Sequence, residues 1–322
     1  LHRTKWIEQD RIRVTMVRIL LTGAKGQLGV QLLPRLGEHG EVIAVAHAEC
    51  DLSDADAVRR LVRQVAPDVI VNAAAYTAVN DAESNRGLAM AINGVAPGVL
   101  AEEAKRSGAL VVHYSTDYVF DGSKEGPYTE EDVTGPLNVY GASKLAGELA
   151  VAASGGRYLV LRTSWVYGAV GNNFLLTILR LAREREELKI VDDQVGAPTS
   201  TVQLARATSE LVRRYGVASE AHGVNQGATP SGVYHLTAAG SVSWCGFARA
   251  IIAANAASGA KDAVKVRRTV GISSKAYITP ALRPLNSVLS NEKFARTFGF
   301  QLEDWQTALA EVMGELRGQA RG

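Results

Sequence analysis

Val17-Arg18-Ile19-Leu20-Leu21-Thr22-Gly23-Ala24-Lys25-Gly26-Gln27-Leu28-Gly29 decides the fold. The first five residues form a short apolar run, and Thr22-Gly23 follows at once. That reads as a buried parallel strand ending in a tight turn. Leu28, Leu32, Leu33 and Leu36 then recur at helical spacing, and Gly37 stands where a helix stops. In a strand–glycine loop–helix unit the backbone can approach a pyrophosphate closely, while free N–H groups at the helix start face its charge. The glycines are spaced G-x-x-G-x-x-G, so Gly23, Gly26 and Gly29, with Lys25, Gln27 and Leu28 between them, are candidates for holding a dinucleotide. A glycine pattern alone also fits a purely structural turn; the strand before it and the helix after it favour the ligand.

Working outward, the same rhythm continues. Strand-like runs at 42–46, 69–71, 110–112 and 158–161 alternate with helical stretches at 55–66, 88–106 and 139–153. Ser53 or Asp54 can cap the first of these helices, which carries Val58, Leu61, Val62 and Val65 on one face. Gly155-Gly156 ends the last. The alternation predicts an α/β chain: a doubly wound parallel Rossmann sheet with a smaller, mostly C-terminal α/β lobe. Residues 16–166 read as the nucleotide-binding part. Residues 167–322 read mainly as a substrate lobe, with strand-like pieces at 189–191 and 233–236 and part of the segment returning to the sheet. Residues 1–15 alternate charge and bulk without an apolar core, so they are expected to be an unstructured extension, with Met16 near the natural start. The stretch 216–232 is the expected mobile loop.

Composition narrows the classes. The chain has 322 residues, 47% hydrophobic and 21% charged, with a formal net charge of +2. No strong field recruits nucleic acid or a membrane surface. No apolar run reaches the ~18 residues of a membrane span. Cys50 and Cys245 lie far apart and form no C-x-x-C pair, so neither a disulfide framework nor a zinc site is expected, and a reducing, cytoplasmic setting is.

Several stretches carry chemistry. After the second strand an acidic residue would grip a ribose 2′-hydroxyl. Here Ala46-His47 follows, with no carboxylate until Glu49, and Lys25 in the glycine loop can meet a 2′-phosphate or simply be solvated. The balance leans to NADPH and leaves NADH open. Asp51-Leu52 can hold an adenine, the carboxylate accepting from its amino group and the leucine packing on its face; Asp51 also reads as a plain cap. Ala73-Ala74-Ala75 lets a cofactor lie against the backbone. Tyr140 and Lys144, four apart, share one face of a helix. A fixed positive charge there would bring the phenol down toward working pH, so Tyr140 can give a proton to a carbonyl oxygen. Thr116 ends the fourth strand, where its hydroxyl can bind the same oxygen.

These residues resemble the extended short-chain dehydrogenase/reductases, and within them the dTDP-4-dehydrorhamnose reductase family of the RmlD type. The runs that carry the resemblance are NAAAYTAVNDAE (72–83), HYSTDYVFDG (113–122), PLNVYGASKLAGE (136–148), RTSWVY (162–167), GNNF (171–174), DDQVGAPT (192–199) and RPLNSVL (283–289). They span nearly the whole chain after Met16. The resemblance implies reduction of the C4 ketone of dTDP-4-dehydro-L-rhamnose, with Tyr140 as proton donor. It implies that Lys144 lowers that pKa and binds the nicotinamide ribose, and that Thr116 orients the carbonyl. Thr77, Val79, Thr116, Asp117 and Trp165 would face the sugar, and Asn173 and Arg283 would hold the diphosphate. A homodimer is a family-level expectation. Some members place magnesium at a dimer contact through a glutamate early in the first helix; Gly29-Val30-Gln31 stands there, so no metal is expected. Another nucleotide-sugar reductase, an epimerase or a non-catalytic NADP-binding subunit remain open alternatives. A dehydratase fits less well, because Tyr118 rather than a second carboxylate follows Asp117.

Overall fold

The computed structural model describes residues 16–216, 229–257 and 264–319. The expected extension at 1–15 lies outside the described residues, as does most of the expected mobile loop. The opening unit is strand β1 (Val17–Thr22), helix α1 (Gln27–Leu36) and strand β2 (Gly40–Val45). Helix α2 (Ala55–Val65) follows, capped by Asp54, whose carboxylate accepts from the N–H groups of Asp56 and Ala57. Then come β3 (Val69–Asn72) and the short helices α3 (Val79–Ala82) and α4 (Arg86–Met90). A π-type turn at Ala91–Val95 leads into α5 (Ala96–Ser107), then β4 (Leu110–Thr116), α6 (Val139–Ala153) and β5 (Arg157–Thr163).

These strands form one parallel sheet in the order β2–β1–β3–β4–β5, and β10 (Gly232–His235) closes it beside β5. The chain winds outward from β1 to β2, then returns to β3 on the other side of β1. A crevice therefore opens above the carboxyl ends of β1 and β3, where a doubly wound sheet takes its ligand. Every central strand is buried on both faces. Ile19 and Leu21 pack on one side against Leu28, Leu32 and Leu36 of α1. Leu20 packs on the other against Val58 and Val62 of α2 and Leu100 of α5. Truncating one of these leucines to alanine would cost about 2–5 kcal/mol.

The remainder of the chain builds a third core. It begins with β6 (Val166–Tyr167), α7 (Phe174–Glu184), β7 (Glu187–Val191), β8 (Val195–Gly196), β9 (Thr199–Ser200) and α8 (Thr201–Tyr215). After β10 come β11 (Val242–Ser243), α9 (Trp244–Ala257), β12 (Arg268–Ile272), α10 (Glu292–Phe298) and α11 (Trp305–Gln319). Tyr167, Leu175, Phe247, Ile251 and Val312 meet in this core. Helices α8 and α10 pack instead on the main sheet, through Leu204, Leu211, Phe294 and Phe298.

The stretch at 88–106, read from the sequence as helical, is helical throughout, with the π-type turn at Ala91–Val95 lying between α4 and α5. Asn93 sits in that turn with its side chain buried. Its amide accepts from the Tyr76 N–H at 2.8 Å, and donates to the Tyr76 carbonyl and to Ser143 Oγ, each at 3.0 Å. That clamp fixes the loop after β3 against α6, and so fixes the distance between the two walls of the crevice.

Candidate active site

The crevice is a cavity of about 900 Å³ above the carboxyl ends of β1, β3 and β4. At one end Gly23, Lys25, Gly26, Gln27 and Leu28 line it, facing Ala73, Ala74 and Ala75 across the gap. Gly23 has φ +71°, and a Cβ there would meet the Ala74 nitrogen at 2.7 Å, so the loop and the alanine run can lie together only with glycine at this position. No side chain caps α1 at Gly26. Its first N–H groups are thus left for a ligand, and the small-residue walls suit a flat dinucleotide. Gly29 is off the cavity: it sits one turn inside α1, where a Cβ would strike the Gly23 carbonyl, and it serves the packing of helix on loop.

At the end of β2 the Glu49 side chain folds back on the turn. The carboxylate that seemed too late in the sequence is carried back by the turn after β2, so that Glu49 Oε2 accepts from the Ala46 N–H at 2.9 Å. Glu49 Oε1 then lies 3.8 Å from Lys25 Nζ. That backbone bond, with Lys25 nearby, holds the Glu49 carboxyl below its ordinary value. Lys25 remains largely solvated beside this weak pair, at 78% side-chain exposure. Leu52 lines the cavity, but Asp51 does not. Its carboxylate accepts from the N–H and hydroxyl of Ser53, both at 2.8 Å, which makes it a turn residue.

The middle of the cavity holds Thr116, Tyr140 and Lys144. Asn138 caps α6, accepting from the Gly141 N–H at 2.8 Å, and so aims the first turn of that helix at the end of β4. Lys144 is 2% exposed; its Nζ donates to the Tyr114 carbonyl at 2.5 Å and lies 3.5 Å from His113 Nε2. Burial lowers its pKa to about 8, with Glu148 pulling the other way. Thr116 Oγ1 donates to Asp117 Oδ1 at 3.0 Å and accepts from the Tyr118 N–H at 3.1 Å. Asp117 is 3% exposed, and burial raises its carboxyl to about 6, against the pull of Ser287 and Thr116.

The expected depression of Tyr140 is corrected by this geometry. Its pKa is raised to about 12, first by burial and then by the Asp117 charge, with only a hydrogen bond to Thr116 lowering it. Lys144 directs its bond at the Tyr114 carbonyl instead of the phenol. Tyr140 is thus a fully protonated phenol near neutrality, the form a proton donor needs.

At the far end, Thr77, Val79, Asp117 and Trp165 line the cavity. Trp165 has φ +48°, a left-handed conformation that costs a non-glycine residue about 1–3 kcal/mol. Two neighbours hold it there. Trp244 stacks on its ring, and Gly196 lies so close that a Cβ would meet the indole at 2.5 Å. Trp244 also lines the cavity, as does Tyr118, whose ring meets that of Tyr140 edge-on with centroids 5.8 Å apart. Neither was picked out from sequence: Trp244 opens α9 directly after β11, which pairs with β8 beside Gly196.

Two expected substrate residues are not brought to the cavity. Asn173 caps α7, accepting from the Leu176 N–H and donating to Gln27 Oε1 and to the carbonyls of Gly168 and Val170. Arg283 donates to Thr279 Oγ1 at 2.6 Å and to Asn80 Oδ1 at 3.1 Å, and reaches Tyr118 at the site's edge. Among the described residues no group of three or more His, Cys, Asp or Glu could hold a metal ion, and no helix is long and apolar enough to cross a membrane.

A dinucleotide crevice with a Tyr–Lys helix face at its centre defines an oxidoreductase of the extended short-chain dehydrogenase/reductase class. The comparisons narrow it. The RmlD substrate binding domain family matches residues 17–317. A dTDP-4-dehydrorhamnose reductase of Burkholderia thailandensis is 50% identical over 303 residues, which cover 94% of this chain and all of that one. The crystal structure of the Clostridium acetobutylicum dTDP-4-dehydrorhamnose reductase superposes with a TM-score of 0.83 at 37% identity, covering 94% of this chain and 100% of that chain. The Bacillus anthracis dTDP-4-dehydrorhamnose reductase, solved in complex with NADP, also gives 0.83, at 33% identity, over 93% of this chain and 99% of that one. The chain belongs to the dTDP-4-dehydrorhamnose reductase (RmlD) family.

Proposed function

We propose that this chain reduces the C4 ketone of dTDP-4-dehydro-L-rhamnose to dTDP-L-rhamnose, using NADPH or NADH. The observation that carries the reading is the continuity of one cavity from the uncapped start of α1, past Tyr140 and Thr116, to Trp165. Residues 16–166 would supply most of the cofactor side and 167–322 most of the sugar side. Gly23, Gly26, Gln27, Leu28 and the run Ala73–Ala75 would hold the dinucleotide, and Lys144 the nicotinamide ribose. The cofactor, when bound, supplies a hydride to the sugar C4.

The protein's own work is to place the ketone and deliver a proton. Thr116 Oγ1 and the Tyr140 hydroxyl converge where the C4 oxygen would sit. As charge builds on that oxygen, Tyr140 donates its proton, which completes the alcohol and leaves a phenolate. A positioned general acid of this kind is worth roughly 10²–10⁴-fold in rate. The buried ammonium of Lys144, one helical turn from Tyr140, favours the phenolate as it forms. Trp165 and Val79 give the deoxysugar an apolar wall. The two unpaired, buried thiols, Cys50 and Cys245, suit a cytoplasmic setting. A homodimer is the family's suggestion, which sedimentation would test.

The reading is tested by following loss of NADPH absorbance with dTDP-4-dehydro-L-rhamnose, for the wild type and Tyr140→Phe, with the product identified by mass and NMR. Turnover to dTDP-L-rhamnose that collapses in the variant supports it. A folded, cofactor-binding wild type that leaves this sugar unreduced overturns it.

A further inference from the structure

A line of polar side chains crosses the main sheet where nearly every neighbour is apolar. Thr22, Asn72 and His113 stand in register on β1, β3 and β4, and each is at most 1% exposed. Registered residues of a parallel sheet point to the same face. Thr22 Oγ1 is 2.7 Å from Asn72 Oδ1, Asn72 Nδ2 is 3.0 Å from His113 Nδ1, and His113 Nε2 is 3.5 Å from Lys144 Nζ. The line thus runs from the residue before Gly23 to the lysine at the reaction centre. Buried polar groups are costly unless bonded, and nothing in the proposed chemistry so far uses the three strand residues.

We infer that His113 is a positioning residue for Lys144, its neutral imidazole accepting a hydrogen bond from the ammonium through Nε2 while Nδ1–H donates to Asn72. This rests on the reading above that Lys144 binds the cofactor ribose. The direction follows from donor counting. An ammonium has three donors and no acceptor, so Nε2 must offer its lone pair and the proton must sit on Nδ1. The Asn72 amide then turns its oxygen to the ring and its nitrogen to Thr22, an exchange of two ends that occupy the same positions. Burial and the Lys144 charge hold the His113 pKa well below its ordinary value, so the ring stays neutral and able to accept.

Beside the Tyr114 carbonyl, the side chains around Lys144 leave this task to His113. On α6 they are Tyr140, a neutral phenol, and Glu148. On β5, Arg162 already holds Glu148 in a buried pair, with nitrogen–oxygen distances of 2.7–3.1 Å. On β4 they are the Tyr114 carbonyl and His113 itself. Asp117 acts on Tyr140 at the far side.

The test is the pH dependence of NADPH affinity, read by fluorescence titration without any sugar, for wild type, His113→Leu, His113→Asn and His113→Gln. Circular dichroism confirms the fold of each. Affinity should fall as Lys144 loses its proton. Leucine removes the acceptor, and asparagine keeps a partner for Asn72 but does not reach Lys144. Either should move that alkaline fall down by about one pH unit, in keeping with hydrogen bonds to charged groups. Glutamine carries an oxygen near the Nε2 position and should restore the wild-type profile. If the folded Leu or Asn variant keeps the wild-type profile, if Gln shifts as far as they do, or if the wild type shows no alkaline fall, the inference is overturned. Because the titration needs no sugar, its failure is distinct from failure to reduce the proposed substrate.

Discussion

The indole of Trp244 lies flat on that of Trp165, with ring centroids 3.5 Å apart and planes 5° from parallel. The pair joins the two parts of the site, since Trp165 follows β5 of the main sheet and Trp244 opens α9 of the third core. Stacking holds Trp165 in a backbone conformation it would otherwise leave. Trp244→Ala should therefore release the Trp165 ring, raising KM for the sugar about tenfold and changing kcat less. An aromatic pair contributes roughly 0.5–1.5 kcal/mol beyond its buried area, and 1.4 kcal/mol is tenfold in affinity. Near-UV circular dichroism should lose the signal of two coupled indoles. A normal KM in a variant that has lost that signal would show that Trp165 needs no such support.

The two shifted groups at the centre set a pH window. Asp117 gains a proton below about 6, and Lys144 loses one above about 8. Protonated Asp117 no longer carries the charge that faces the sugar and Tyr140, and neutral Lys144 no longer favours the phenolate. The profile of kcat/KM should be bell-shaped with limbs near these values, and Asp117→Asn should abolish the acid limb alone. A flat profile across this range would remove both residues from the chemistry.

Where the sequence was informative, it was because local rules were decisive. The unit from Val17 to Leu36 carries its own strand, turn and helix signals, and the helix from Val139 to Ala153 is bounded by Asn138 and by Ser154, with Gly155 in a left-handed conformation just beyond. The Tyr140–Lys144 spacing needs only helix geometry. What escaped is what tertiary contact decides. The Asn93 side chain ties the helix to the Tyr76 backbone, 17 residues away, through two bonds. Arg283 and Asn173 have the chemistry of ligand-binding residues, and the fold gives each of them partners within the chain that the sequence does not reveal. Tyr140 carries the right motif, but its pKa moves the other way because burial and the Asp117 charge both raise it.

Cofactor choice should respond to the Lys25–Glu49 pair. The two charges are 3.8 Å apart and well exposed, so their attraction is weak and screened by salt. Glu49→Gln frees Lys25 for a 2′-phosphate and takes away the carboxylate that would repel it. The ratio of NADPH to NADH affinity should rise about three- to tenfold at low ionic strength, and Lys25→Ala should lower it by a similar factor. Isothermal titration with both cofactors reads the ratio directly. If neither variant moves it, the 2′-position is recognised elsewhere in the cavity.

The buried Asp117 carboxyl should also cost the fold stability. Its pKa is about 6 in the folded chain, against an ordinary value of 3.8. A carboxyl raised on folding stabilises the fold fully below its unfolded value, and that contribution is lost as pH rises through the folded value. At neutral pH the ionised group is therefore a burden on the order of 3 kcal/mol. Asp117→Asn keeps an oxygen to accept from the Thr116 hydroxyl but carries no charge. In urea unfolding it should be more stable than the wild type at neutral pH, by up to about 3 kcal/mol, with the gap closing toward pH ~4. Wild-type activity should fall over the same pH range as Asp117 gains its proton, because the charge that strains the fold is the one that faces the sugar. A variant that is no more stable at neutral pH would mean that Asp117 is already relieved by its bonds to Thr116 and Ser287.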